Sequence, residues 1–223
     1  MMMSDKLFQK RKAKKIAELG RKSAKKESYD RILIVTEGEK TEPNYFNEII
    51  RLYKLSSANV KVDGSCGPSP KTVVQYAIEL AKEEERSKRI PFDKIYCVID
   101  KDAHPCYKEA HEIARDTKLK GELIIISSVP SFEFWLLLHF IFTTKSYQQQ
   151  KKNSTGKQVL SDLKKYIPDY NKGMIDIFSQ LEDKLPTAIK NAIAVNKKAA
   201  EYQTDMPTTK VYELVQKLTN LKS

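Results

Sequence analysis

Apolar residues follow two rhythms along this chain, and the change between them falls near residue 130. Before it, short β-branched runs alternate with stretches of helical spacing. Arg31-Ile-Leu-Ile-Val35 is continuously apolar after its first residue and predicts a strand buried on both faces. Thr36-Glu37-Gly38 ends it, and Pro43 opens a helix running to about Tyr53. A second strand is expected at Val60–Val62, closed by the turn-rich segment from Asp63 to Pro70. Val74, Ala77, Ile78 and Ala81 share one face of a helix predicted from Lys71 to about Arg86. Lys94 to Asp100 reads as the third strand, His104 to Leu119 as a helix, and Glu122 to Ile126 as the fourth strand. Four β-α units in series imply a mainly parallel sheet with helices on both faces.

After Ser131 the strand signal disappears. Segments 132–142, 157–166, 174–181, 187–202 and 209–221 read as helices, punctuated by Pro168, Pro186 and Pro207. No internal repeat is present. The expected architecture is an α/β class core over residues 28–130 carrying a helical C-terminal half, 131–223, as one domain. Residues 1–27 precede it as a basic arm.

Composition narrows the picture. The 223 residues carry 40 Lys and Arg against 29 Asp and Glu, a net charge of +11, and 40% are apolar, enough for a real core. No apolar stretch reaches the ~18 residues of a membrane span. The longest, from Phe132 to Phe142, contains Glu133 and His139. The N-terminus lacks the apolar centre of a secretory signal. Cys66, Cys97 and Cys106 form neither an even disulfide set nor a CxxC pair. A soluble protein of the reducing cytoplasm, without membrane partners, is expected.

The charge is unevenly spread. Residues 1–26 hold ten Lys or Arg and only Asp5 and Glu18, so +8 of the +11 lies there. Such a run can follow a phosphate backbone by displacing counterions, or be a solvated terminus without a dedicated partner. A second basic region runs from Lys145 to Lys172, with seven Lys against Asp162 and Asp169. Its polar stretch Gln148 to Ser154 reads as a loop rather than a site.

In parallel sheets ligands gather beyond the carboxyl ends of the strands, so the acids placed there carry the chemistry. Glu37 follows the first strand, Asp100 ends the third with Asp102 two residues on, and Glu133 follows the fourth among Phe132, Phe134 and Trp135. Carboxylates converging at one sheet edge repel one another, and a divalent cation is the usual remedy. An all-oxygen set suits Mg²⁺ or Mn²⁺ over Zn²⁺. Each acid also has a plainer reading: Asp102 could cap a helix, and Glu37-Gly38-Glu39 could be an exposed turn. Glu133 is hardest to place that way, because an acid among aromatics is costly without a partner.

Rival motifs fail on spacing. Gly38-Glu-Lys-Thr41 lacks the upstream glycine of a phosphate-binding loop. Asp100-Lys-Asp102 is not on the first strand, as a haloacid-dehalogenase phosphatase would require. His104, His111 and His139 have no HExxH spacing, and GxSxG is missing. His104 reads as a loop residue with proton transfer as its alternative, and His139 as a core residue.

The stretch from Ile34 to Phe46, IVTEGEKTEPNYF, resembles the signature of RloB-like proteins, encoded beside restriction or phage-defence loci. Val98 to Asp102, Ser128 to Trp135 and Pro207 to Val211 fit the same family in the same order. The resemblance implies a divergent Toprim fold, whose sheet the four predicted strands would form. It implies a catalytic Glu37, a metal pair at Asp100 and Asp102, and a further acid at Glu133, with Ser131 two residues before it. Glu42 is the nearest candidate for the acid that some relatives place one turn after the first Glu. The resemblance also implies a partner ATPase encoded nearby.

The leading expectation is therefore an Mg²⁺-dependent (or Mn²⁺-dependent) nuclease acting on DNA or RNA in antiphage defence. Asp100, Asp102 and Glu133 would ligate metal, and Glu37 would act as ligand or base. Lys40 and Thr41 would contact phosphate, and Lys101 would either stabilise charge or face solvent. A homo-oligomer is compatible with this reading. The alternative is a non-catalytic nucleic-acid-binding adaptor that regulates a partner.

Overall fold

The computed structural model describes residues 30–57, 59–67, 69–101, 105–150 and 153–221. The expected basic arm, Asp102 and His104 lie outside the described residues. The elements run β1 (Ile32–Thr36), α1 (Thr41–Leu52), β2 (Val60–Asp63), α2 (Pro70–Arg86), β3 (Lys94–Asp100), α3 (Tyr107–Asp116) and β4 (Glu122–Val129). Then follow α4 (Phe132–Leu137), α5 (Thr155–Leu163), α6 (Ile177–Leu181), α7 (Leu185–Glu201), β5 (Thr208–Thr209) and α8 (Val211–Thr219).

The sheet order is β2-β1-β3-β4-β5, with parallel pairing except between β4 and β5. The sheet thus has five strands where four were expected. The fifth is a two-residue antiparallel edge, Ser128 opposite Thr209 and Val129 opposite Thr208, tied by a 3.0 Å hydroxyl contact between Ser128 and Thr209.

The continuous apolar character of β1 and β3 follows from burial on both sides. Ile32, Ile34, Tyr96 and Val98 join a core with α1 and the C-terminal helices. Leu33, Val35, Ile95, Cys97 and Ile99 point the other way, into a second core with α2 and α3. The period-two alternation within one strand therefore feeds two cores, not a core and a surface.

The first core is the more aromatic. Tyr45 of α1 makes edge contacts with Phe46, Phe132 and Phe178 at ring separations of 5.3–5.5 Å. The Trp135 indole N–H donates to the Tyr45 hydroxyl at 2.8 Å, which satisfies the polar atoms of two fully buried rings. These contacts fix α1 and α4 against each other, and the first turns of both helices meet at the carboxyl ends of β1, β3 and β4.

Candidate functional site

A cleft of about 440 Å³ opens at that edge, lined by Glu37, Gly38, Glu39, Lys40, Thr41, Glu42, Gly67, Asp100, Glu133 and Lys172. Each carboxylate is placed by a different element. Glu37 continues the β1 ladder, its N–H donating to Val98 O at 3.1 Å, and its Oε2 accepts from the Asp100 N–H at 3.1 Å. Asp100 Oδ2 in turn accepts from the N–H of Phe132, the first residue of α4, at 3.1 Å. A chain of two hydrogen bonds thus links the ends of β1, β3 and β4. Buried Glu133 accepts from Ser131 Oγ at 2.7 Å through Oε2.

Glu42 completes the ring of acids. It is buried in the first turn of α1, and its carboxylate lies against Gly38. Gly64 lets the loop after β2 approach this turn. A Cβ there would stand 2.7 Å from Gly38 O and 2.8 Å from Pro43 Cγ.

Burial and mutual repulsion govern the electrostatics. Desolvation, then the charges of Glu42, Glu133 and Glu37, hold the Asp100 carboxyl well above the usual range, against the opposing Phe132 N–H. Glu42 is pushed up to about 7 by burial. Its own backbone N–H and the charge of Lys172 pull it down, while Glu133 and Glu37 raise it further. The cation inside the ring is Lys172, whose Nζ lies 3.4 Å from Glu133 Oε1. Burial alone would lower its pKa, but Glu133, Asp100 and Glu42 hold it above the ordinary lysine value.

Lys172 comes from the segment between α5 and α6, which is laced onto α1. The Gly173 N–H donates to Thr41 Oγ1 at 3.2 Å, and Asn44 Nδ2 donates to Gly173 O at 3.0 Å. Buried Glu48 accepts from the N–H groups of Phe178 and Ser179 at 2.8 and 3.2 Å. Behind the acids lies the buried Tyr170 hydroxyl. It has no hydrogen bond of good geometry, and the Glu133 charge adds to burial in raising its pKa.

The structure gathers Glu37, Asp100, Glu133, Glu42 and Lys40 around one cleft, with Ser131 as the hydroxyl holding Glu133. Thr41 lines the cleft, and its hydroxyl oxygen accepts from the Gly173 N–H. Lys101 is turned away and pairs with Asp205 and the Tyr107 ring. His139 is buried, with Nδ1 3.1 Å from Trp135 O, and burial lowers its pKa to about 4. Lys172 and Tyr170 are the additions that sequence reasoning missed.

Four oxygen-donor acids suit Mg²⁺ or Mn²⁺ in kind. In spacing they do not yet form a site: among the described residues no three His, Cys, Asp or Glu side chains stand close enough together to hold an ion. The described residues also contain no helix long and apolar enough to cross a membrane.

The family model for RloB-like protein matches residues 32–218, which spans all five strands and the cleft. No curated protein and no solved structure matches the chain.

Proposed function

The chain belongs to the RloB-like family, and from this premise we propose that it is a metal-dependent nuclease-like effector of the Toprim type that cleaves nucleic-acid phosphodiester bonds in antiphage defence. The observation that carries this reading is the convergence of Glu37, Glu42, Asp100 and Glu133 at the carboxyl edge of a mainly parallel sheet. Acids that raise one another's pKa in a partly desolvated cleft store repulsion that a dication relieves. Glu37, Asp100 and Glu133 are the residues that would hold Mg²⁺, with Asp102 a further candidate ligand. A Mg²⁺ held there would supply a positive centre able to polarise a phosphodiester and ease deprotonation of water. Glu37 sits at the cleft as ligand or general base, and Glu42 is protonated in part near neutral pH, which suits an acid that can lend or accept a proton. Lys40, exposed at the start of α1, is positioned to meet a phosphate. The net charge of +11 favours a polyanionic substrate. A partner ATPase and a cytoplasmic setting belong to the same reading.

One observation favours a second reading, the non-catalytic adaptor: no three described acids are poised to hold an ion. An assay on labelled DNA and RNA with Mg²⁺, Mn²⁺ or chelator separates the two. The nuclease reading expects cleavage with metal, none with chelator, and none from Asp100→Asn. Binding without cleavage under every condition would leave the adaptor.

A further inference from the structure

A second cavity, of about 210 Å³, lies where the end of α4, the chain after it and the end of α5 meet. We propose that it is a binding site for an unpaired base of single-stranded nucleic acid, with the Tyr166 ring as stacking surface and Lys145 and Lys165 as phosphate contacts. The inference rests on the nucleic-acid half of the reading above and names the strand form; it needs no metal.

Three large apolar side chains stay exposed in and beside this cavity, Ile141 at 40%, Phe142 at 47% and Tyr166 at 42%. An apolar cluster left on the surface and rimmed by charge marks an interaction site. The Tyr166 ring is already held for stacking. It lies on Phe140 with centroids 5.1 Å apart and planes 15° apart, and Phe140 is packed against the first core. Tyr166 is thus the outer member of a stack, and a base laid on its exposed face extends that stack whatever the base is.

The charges are layered to suit a nucleotide. Asp162 lies in the recess, 15% exposed, and the ammonium groups of Lys145 and Lys165 each reach one of its oxygens at 2.6 Å from side chains 53% and 68% exposed. An ammonium has three donors, so each lysine keeps donors for a phosphate. Burial opposes ionisation of Asp162, but hydrogen bonds from Lys145, Lys165 and Tyr147 hold its carboxyl below the usual range, so it remains an acceptor for the amino group of a base. Cations at the rim and an acceptor within match phosphate outside and base inside; an apolar partner would use neither. The volume is below the ~300–1,000 Å³ of a drug-sized pocket and suits one ring system. Paired bases, stacked inside a duplex, cannot enter it. Six residues separate Tyr166 from Lys172 of the acidic cleft, so their Cα atoms lie at most ~22 Å apart, and a strand held at one can extend to the other.

The test measures binding by the full chain in chelator, where cleavage plays no part. Fluorescence anisotropy follows a labelled oligonucleotide of about twelve nucleotides, single-stranded or annealed to its complement. The wild type should bind the single strand more tightly. Tyr166→Leu should weaken that complex about tenfold, as expected for one lost base stack, and leave the duplex complex unchanged. Tyr166→Phe keeps the ring and should bind like the wild type. Lys145→Gln and Lys165→Gln change exposed side chains, which covers a leucine variant that folds poorly. Each should flatten the slope of log affinity against log salt for the single strand by roughly 0.7. If Tyr166→Leu and the wild type bind the single strand alike, or the two lysine variants keep the wild-type slope, the cavity is no base site, while nucleic-acid binding elsewhere stands. A dimer that forms without nucleic acid and is lost in Tyr166→Leu would assign the face to a second copy and overturn the proposal. If the wild type binds neither strand form, the nucleic-acid reading itself fails and the base site falls with it.

Discussion

The carboxylate of Glu42 lies over Gly38 so closely that a Cβ on Gly38 would stand 2.2 Å from Oε2 and 2.9 Å from Cδ. The backbone of Gly38 is outside the left-handed region, so the contact itself is what excludes a side chain. Gly38→Ala should therefore act by pushing Glu42 out of the cleft. The displaced group is the end of a side chain, so the protein should fold, with a loss on the order of 1 kcal/mol. Its stabilisation by Mn²⁺ in a melting experiment should fall well below that of the wild type. An unchanged metal response would remove Glu42 from the site.

Glu42 also predicts how the metal-free protein responds to pH. Its pKa rises from an ordinary 4.5 to about 7 on folding, mainly through burial, with Glu133 and Glu37 adding to it. A carboxyl raised in this way contributes stability that is complete below about 4.5 and is lost as pH climbs through about 7. In chelator, the wild type should lose stability between pH 5 and pH 7.5, and Glu42→Gln should lose less. At pH 7.5 the variant should be the more stable by roughly 2–3 kcal/mol, since each pKa unit is worth about 1.4 kcal/mol. Urea titrations at the two pH values check this, and parallel profiles for the two proteins would show that Glu42 carries no charge penalty.

Sequence patterning reaches some of these features and misses others for identifiable reasons. Leu33 and Ile34 lie in a continuous apolar run because each faces a different core, and that run marks β1 without ambiguity. Glu37, Asp100 and Glu133 are legible because strand ends locate acids in a parallel sheet. Thr208 and Thr209 carry no apolar signal, and a strand of two residues after Pro207 is too short for periodicity to show. The apolar run after Ser131 predicts a helix to Phe142, but α4 stops at Leu137, since composition without a capping residue sets no end. Lys101 could have been assigned correctly from alternation alone, as the residue after Asp100 faces the opposite way and meets Asp205. Lys172 gives no such clue. It is one lysine among seven between 145 and 172, and packing of the chain across α1 brings it to Glu133.

Tyr170 tests whether the cleft is shaped for stability or for a ligand. Its hydroxyl is buried without a hydrogen bond of good geometry, and an unpartnered buried polar group costs about 1–3 kcal/mol. Tyr170→Phe should thus melt at or above the wild-type temperature in chelator. Should the hydroxyl serve the acids, the same variant should lose part of its response to Mn²⁺ while keeping that higher melting point. A lower melting point in chelator would mean that the hydroxyl has a partner in solution and is structural.

Glu133→Gln separates a metal ligand from half of a structural ion pair. Glutamine keeps the shape of the side chain and an oxygen that can accept from Ser131 Oγ, the 2.7 Å contact that fixes the carboxylate. What it removes is the anionic oxygen facing Lys172 at 3.4 Å. Breaking a fully buried pair strands a charge and typically costs ~3–5 kcal/mol. Lys172 is largely exposed, so its ammonium returns to water at little cost, and the loss in chelator should stay within about 1 kcal/mol. Relief of repulsion on Asp100 and Glu42, both of which feel the Glu133 charge, offsets even that. With metal the order reverses. The wild type should gain about 2.7 kcal/mol when free Mn²⁺ stands a hundredfold above its dissociation constant, and Glu133→Gln should gain little. Asp63→Asn, at the end of β2 and outside the cleft lining, should respond as the wild type does. Melting curves with chelator and across a Mn²⁺ titration read both effects at once. A Glu133→Gln protein that is strongly destabilised in chelator yet keeps the full metal gain would place Glu133 in an ion pair and leave the cation to the other acids.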